Sequence, residues 1–348
     1  MDTSNPTDQP GRSDAAAHAA AAHVIEQSLG HLYSAALRTA VLHHLADHLA
    51  GGPRTAAELA RRTGTDAGAL RRTLRYLASR GVFREDGNGA FHMTPAGQFL
   101  RAGVPGSLRE AVLMLTDDIF VRSSSALDET VRTGAPAFPK VFGAPFFEYL
   151  KDDDATRELF DTGMAAFSEP LDDLVAGAYP FPARGTVVDV GGGRGGLLRQ
   201  VLLRHPGLTG VLFDQAPALR ETVLGDAELA GRWRAEPGDF FTSIPDGGDV
   251  YVLKHVLHDW DDASAVRILS GCRRGLAPEG RVLVVDSVPE PGNDPHPGKT
   301  LDVAMMTLVP GKARGPKELD VLFARAGLRR TRILPTPAFA AIVEAVAD

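Results

Sequence analysis

A histidine, several carboxylates and a tryptophan share one short run, Leu253-Lys254-His255-Val256-Leu257-His258-Asp259-Trp260-Asp261-Asp262. Tyr251-Val252-Leu253 reads as a strand, so the run begins at a strand's carboxyl end, where open α/β sheets bind ligands. His258 is the candidate general base: it is the only histidine in a candidate pocket loop that is flanked by acid groups. A lone histidine is more often structural, but the strand-end position and the flanking acids favour chemistry here. Trp260, otherwise ordinary core, can stack on a purine. His255 is expected to face the core or a helix surface and is given no role.

A second constellation precedes it. Val187-Val188-Asp189-Val190 runs into Gly191-Gly192-Gly193-Arg194-Gly195. Glycines let backbone N–H groups approach a ligand, and a following helix N-terminus favours negative charge. Gly191, Gly193 and Gly196 also satisfy the dinucleotide pattern, so the loop alone leaves the cofactor open, and a plain strand-to-helix turn is its bland reading. Asp214 ends the next strand, where a carboxylate can accept from both ribose hydroxyls. Asp239 and Phe240 follow a presumed third strand, where the acid can accept from an adenine amino group while the ring covers the base. Each aspartate alone is equally a loop residue or a helix cap. Together, Gly, Asp and Asp at three consecutive strand ends point to a nucleotide-like cofactor.

These strand ends need a sheet to hold them. From Gly185 onward, short apolar runs alternate with helical patterns: Thr186–Val190, Gly210–Phe213, Asp249–Leu253 and Arg281–Val285. That rhythm predicts a parallel sheet with crossover helices. Upstream, Leu29, Leu32, Leu37, Val41, Leu42, Leu45 and Leu49 recur near helical spacing. Thr55 with Glu58 forms a capping-box pattern, and a further helix starts near Asp66 with Leu70, Thr73, Leu74 and Leu77 on one face. Phe83-Arg84-Glu85 and Ala90-Phe91-His92-Met93 flank a turn, so helix, turn, helix and hairpin predict a winged helix. Residues 107–180 read as mostly helical, with Phe142, Phe146, Phe147 and Tyr149 as core or pocket wall.

Composition sets the outer bounds. The 348 residues suffice for two domains. No run is long and apolar enough to span a membrane, and the polar opening residues lack the features of a secretory signal. The single cysteine, Cys272, excludes an intramolecular disulfide framework and a cysteine metal cluster. His43, His44 and His48 lack a third-ligand motif and read as a solvated face, so no metal is expected. The formal charge of -7 argues against nonspecific nucleic-acid binding. A cytoplasmic protein is the expectation.

As a set, Asp-Val-Gly-Gly-Gly, Gly-Asp-Phe-Phe, Lys-His-Val-Leu-His-Asp-Trp and the closing Phe323-Ala324-Arg325-Ala326-Gly327-Leu328 resemble the plant-type small-molecule O-methyltransferases that use S-adenosylmethionine. This is the caffeate and acetylserotonin O-methyltransferase family, which includes bacterial antibiotic-tailoring members. The resemblance runs from about residue 20 to the C-terminus. It implies an α/β fold, a Rossmann-like class I methyltransferase sheet with an N-terminal all-helical, winged-helix dimerisation domain. The expected divisions are a disordered tail at 1–14, the dimerisation domain at 15–105, a helical linker and pocket wall at 106–180, and the cofactor-binding catalytic domain at 181–348. It further implies Gly191 at the methionine part of the cofactor, Asp214 at the ribose, Asp239 and Phe240 at the adenine, Lys254 as another contact and Trp260 near the adenine. His258 matches the family's base and Asp286 the first of its two bracketing acids. The second acid belongs where this chain has Ala313, in Gly311-Lys312-Ala313-Arg314.

The resulting expectation is methyl transfer to a phenolic or enolic oxygen of a small aromatic metabolite by a homodimer. His258 is the base, held by Asp286 alone. Met305 and Met306 are candidates for the pocket or for core. Relatives with this fold that hydroxylate or decarboxylate keep a competing chemistry open. A transcriptional regulator, using Arg71, Arg72, Arg75 and Arg80 on phosphates, is a rival that does not need the His258 constellation. A nicotinamide oxidoreductase explains the glycines and Asp214 but neither Asp239-Phe240 nor His258-Asp259-Trp260.

Overall fold

The computed structural model describes residues 10–289 and 291–348. Of the tail expected over 1–14, residues 1–9 lie outside this range, and the chain is helical from Pro10. Two units form, Met1–Val112 and Leu113–Asp348.

In the first unit, helices Pro10–Ser28, Gly30–Leu42 and Leu45–Leu49 precede strand β1, Arg54–Thr55. Thr55 and Glu58 then make the expected capping box: the Glu58 carboxylate accepts from the Thr55 N–H at 2.7 Å, and the Thr55 hydroxyl accepts from the Glu58 N–H at 3.3 Å. This opens helix Ala56–Thr63. Asp66 caps helix Ala67–Ser79, whose Leu70, Leu74 and Leu77 are buried. Strands β2, Phe83–Glu85, and β3, Ala90–Met93, complete an antiparallel sheet in the order β1-β3-β2. Asp86 fixes the hairpin by accepting from the N–H groups of Asn88 and Ala90 at 2.9 and 3.0 Å. The winged helix is therefore present. Its arginines are largely engaged within the unit: Arg75 and Arg71 face Glu85 at 3.1 and 3.8 Å, and Arg80 pairs with Glu26.

The second unit begins with a run of helices, the last and longest being Asp154–Ala178. Seven strands follow: β4 Gly185–Val190, β5 Leu208–Asp214, β6 Trp233–Pro237, β7 Gly248–Lys254, β8 Leu276–Asp286, β9 Leu328–Pro335 and β10 Ala341–Ala347. Their order is β6-β5-β4-β7-β8-β10-β9; the first five are mutually parallel and β10 runs antiparallel to both neighbours. Helices cover both faces, so strand residues of either parity are buried and the strands read as continuous apolar runs. Val188, Val190, Leu253 and Val284 pack with Ile268 of helix Asp262–Gly275 and Phe323 of helix Pro316–Arg325. Val187, Leu212, Val252 and Leu283 pack with Leu198 of helix Gly196–Arg204 and Val175 of the long helix. The chain leaves β4 towards β5 on one side and later returns as β7 on the other. That reversal opens the crevice where such sheets bind ligands, and it puts the ends of β4, β5, β7 and β8 on one rim. Among the described residues no helix is long and apolar enough to cross a membrane.

On the first two helices and at the junction between them, Val24, Ile25, Leu29 and Leu32 are 63, 65, 47 and 48 % exposed. Large apolar residues clustered at this exposure predict association with a second copy of the chain. Light scattering at micromolar concentration is expected to give a dimer mass, and Ile25→Asp with Leu29→Asp to shift it towards monomer with unchanged helicity. A monomeric unaltered protein would contradict the expectation.

Candidate active site

The rim of β4 is built around backbone that approaches other atoms closely. Gly191 has φ +70°, and a Cβ there would meet Val256 at 2.9 Å and Phe240 at 3.7 Å. Asp214, at the end of β5, accepts from the N–H groups of Gly193 at 2.8 Å and Gln215 at 2.6 Å. One carboxylate thus ties the glycine loop to the neighbouring strand end. Burial raises its pKa against those two hydrogen bonds. Directly below, both oxygens of buried Asp189 have no hydrogen-bond partner among the described residues. Burial pushes Asp189 up to about 7, against the opposing charge of Lys254. Gly191, Gly192, Gly193 and Gly195 leave the backbone of this loop open to close approach by a ligand at the rim. Asp189 was read only as part of a strand in the sequence.

The remaining cofactor candidates fall nearby with different partners. Asp239 is exposed and accepts from the Phe241 N–H at 2.8 Å, leaving Phe240 beside Gly191. Trp260 joins Phe240 and Phe241 edge-on at 5.8 and 4.7 Å between ring centres, while Phe147 stacks on it at 5.4 Å. One face of the indole is therefore already covered by protein. The Lys254 ammonium pairs with buried Asp172 and donates to Ser168 at 3.1 Å. It ties β7 to the long helix, a partnership the sequence does not display because the residues lie far apart along the chain.

The ends of β7 and β8 hold the second constellation. His258 sits in a short 3₁₀ turn, Leu257–Asp259, with Nδ1 2.7 Å from Asp286 Oδ1. The same oxygen accepts from the Ser287 N–H at 2.8 Å. Asp259 lies 3.5 Å from Nε2 of His258. The imidazole is thus bracketed by two carboxylates although Ala313 replaces the second expected acid, which amends the expectation of Asp286 acting alone. Burial by itself would lower the His258 pKa, but the charges of Asp286 and Asp259 outweigh it and raise the group to about 9. Burial pushes Asp259 up to about 7. Asp286, though buried, is held well below the carboxylate range by the charge and hydrogen bond of His258, with His255 nearby.

Two features hold this turn in place. A Cβ at Gly311 would run into the His258 carbonyl and the Asp259 backbone, so the 311–314 segment presses against the turn. Arg314, 3 % exposed, donates to the carbonyls of Leu257 and Trp260 at 2.7 Å each, and to Asp262 at 2.8 Å. Its guanidinium fork spans the loop carrying His258.

Beside His258 lies a pocket that is partly open to solvent. Phe146, Phe160, Phe167 and Phe339 contribute to its apolar wall. Met305 lines it and also packs against the neighbouring core cluster, while Met306 is not among the pocket's lining residues. Ala313 lines it as well, and its N–H donates to Asp302 at 2.7 Å. His255, given no role from sequence, also borders the cavity. His255, His258 and Asp286 bring donor atoms within 4.8 Å of one another, a spacing open to a metal ion, but the His258 and Asp286 atoms already bind each other.

Known proteins resemble this chain in sequence and fold. The profile of the O-methyltransferase domain matches residues 125–329, and that of the O-methyltransferase dimerisation domain residues 25–103. The chain is 36 % identical over 325 residues to phenazine O-methyltransferase PhzM of Lysobacter antibioticus, covering 92 % of this chain and 95 % of the relative. It is 40 % identical to 2,7-dihydroxy-5-methyl-1-naphthoate 7-O-methyltransferase of Streptomyces carzinostaticus, over 88 and 93 % of the two chains. The crystal structure of CalO1, a methyltransferase in calicheamicin biosynthesis in its S-adenosylhomocysteine-bound form, superposes with a TM-score of 0.87 at 42 % identity, over 98 % of this chain and all of that one. With both domain profiles matched and such relatives along nearly its whole length, the chain belongs to the O-methyltransferase family that carries its own dimerisation domain.

Proposed function

We propose that this S-adenosylmethionine-dependent O-methyltransferase acts on a phenolic or enolic hydroxyl of a small aromatic metabolite, with His258 as general base. The contact between His258 Nδ1 and Asp286 carries the reading. A carboxylate there keeps the imidazole proton on Nδ1 and leaves Nε2 a lone pair. Two relatives are named for aromatic acceptors, a phenazine and a dihydroxynaphthoate. A phenylalanine-lined cavity suits a flat ring of that kind.

When bound, S-adenosylmethionine supplies the methyl group on a sulfonium that needs no proton donor to leave. We assign its binding to Gly191, Asp214, Asp239 and Phe240, with Lys254 and Trp260, already partnered within the protein, as walls of the cradle. The chain's own work is to align the acceptor and to take its proton at His258 Nε2. A phenol ionises near pH 10, so an ordinary imidazole near 6.5 faces an uphill transfer of about 5 kcal/mol. Raised to about 9 by the two carboxylates, His258 faces about 1 kcal/mol. The gain has a counterpart, since more of the imidazole is already protonated at neutral pH. Hydroxylation or decarboxylation on the same fold is the competing reading, motivated by Ala313. Asp259 beside Nε2 weighs against it, because the site retains two acids around its base.

Cofactor binding should depend on Asp214. Asp214→Ala is expected to weaken S-adenosylhomocysteine binding several-fold or more, and calorimetry giving unchanged affinity in a folded variant would refute the assignment.

The base should show in the pH profile. Because the His258 pKa is raised, its proton-accepting form is scarce at neutral pH and grows as pH rises towards about 9. Single-turnover methyl transfer to an un-ionised phenol, followed as a one-methyl mass shift, is expected to climb with pH and level off near there. His258→Ala should lose about 10²–10⁴-fold and recover partly only as the phenol ionises unaided. Equal rates for the two proteins would remove His258 from the mechanism.

A further inference from the structure

One short helix, Phe146–Asp152, stands between the two places where ligands are expected. It has seven residues, no side chain caps its N-terminus, and Gly143 at φ +88° leads into it. A helix under two turns long has little stability of its own, so packing must hold it. Phe146 and Leu150, four residues apart, are buried, and Phe146 lines the pocket beside His258. Phe147, one position on, leaves the helix on a different side. There it stacks on Trp260 at 5.4 Å between ring centres, with the planes 17° apart.

From this stack a run of rings leads both ways. Trp260 meets Phe240 edge-on at 5.8 Å, and Phe240 stands 3.7 Å from where a Cβ on Gly191 would lie. In the other direction Phe147 meets Phe146 at 5.2 Å, and Phe146 meets Phe160, a second pocket-lining ring, at 5.1 Å. Ring contacts alone therefore join the rim of β4 to the wall of the pocket. The Trp260 backbone is held separately, since its carbonyl accepts from buried Arg314 at 2.7 Å. A ligand against Phe240 and Trp260 thus acts on the rings rather than on the loop. In a close-packed array, fixing one ring restricts the next. The ring next to Trp260 belongs to the element with least hold on its own conformation.

We infer that Phe147 is a positioning residue that couples the two sites. A cofactor seated at Gly191, Phe240 and Trp260 fixes the Trp260 ring, and Phe147 stacked on that ring fixes helix Phe146–Asp152. The Phe146 wall of the acceptor pocket is thereby set by cofactor occupancy, which favours binding of cofactor before acceptor. This rests on the methyl-transfer reading and the cofactor placement above.

Amide hydrogen exchange followed by mass spectrometry tests the coupling without an acceptor. The unaltered protein, Phe147→Tyr and Phe147→Leu are compared, each free and saturated with S-adenosylhomocysteine. In the unaltered protein the ligand is expected to slow exchange across residues 146–152 by about five-fold or more, together with the glycine loop at 191–196. Phe147→Tyr keeps the stack and should keep both effects. In Phe147→Leu, apolar but without a ring, slowing at 146–152 should fall to within about two-fold, while slowing at 191–196 persists and marks a folded, occupied site. A residue needed only for packing would change exchange in the free protein and leave the ligand-dependent difference intact. Full slowing at 146–152 in Phe147→Leu would overturn the assignment. So would unslowed exchange there in the unaltered protein when 191–196 is protected. No slowing at 191–196 in the unaltered protein would remove the cofactor placement itself, and the coupling with it.

Discussion

The site depends on one buried carboxylate. Asp286, 6 % exposed at the end of β8, would be costly to leave charged without partners. Its Oδ1 instead gathers the Ser287 N–H and His258 Nδ1 as direct contacts, with His255 Nδ1 further off. The carboxylate's charge raises the pKa of the imidazole it contacts. The parallel pairing of β7 with β8 makes this possible, since its register sets Lys254 beside Val285 and so brings the turn after β7 alongside Asp286.

The second constraint is the loop that must keep His258 there. A 3₁₀ turn of three residues has little stability of its own. Arg314 spans it with hydrogen bonds on both sides of His258, and Gly311 lets the same segment lie against its backbone. The segment that lacks the expected acid at Ala313 therefore still shapes the site, through its neighbours rather than through a charge. Asp259, adjacent to His258 in the chain, stands where a second carboxylate can act on Nε2. A second carboxylate beside His258 is thus supplied by its own turn rather than by the 311–314 segment.

Much of this was legible in the sequence because strands end where their chemistry begins. Gly191, Asp214, His258 and Asp286 were each found at the carboxyl end of an apolar run, and a parallel sheet brings such ends to one rim. The capping box at Thr55 and Glu58 and the hairpin turn at Asp86 were legible too, because their hydrogen bonds are local. Contacts across the fold were not. Nothing near Lys254 announces Asp172, and the covering of Trp260 by Phe147 depends on how a helix before the sheet folds back. Met305 and Met306 could not be told apart without the helix's orientation. His255 was expected to face the core or a helix surface, since one position in an irregular turn carries no periodic signal; it is buried and also borders the cavity.

The central claim is that Asp286 sets the proton position and basicity of His258. The direct measurement is a nuclear magnetic resonance titration of the His258 ring in the unaltered protein and in Asp286→Asn. The account predicts an Nδ1–H tautomer titrating at about 9 in the first, falling towards or below the ordinary value near 6.5 in the second. The same tautomer and the same titration midpoint in both proteins would contradict it.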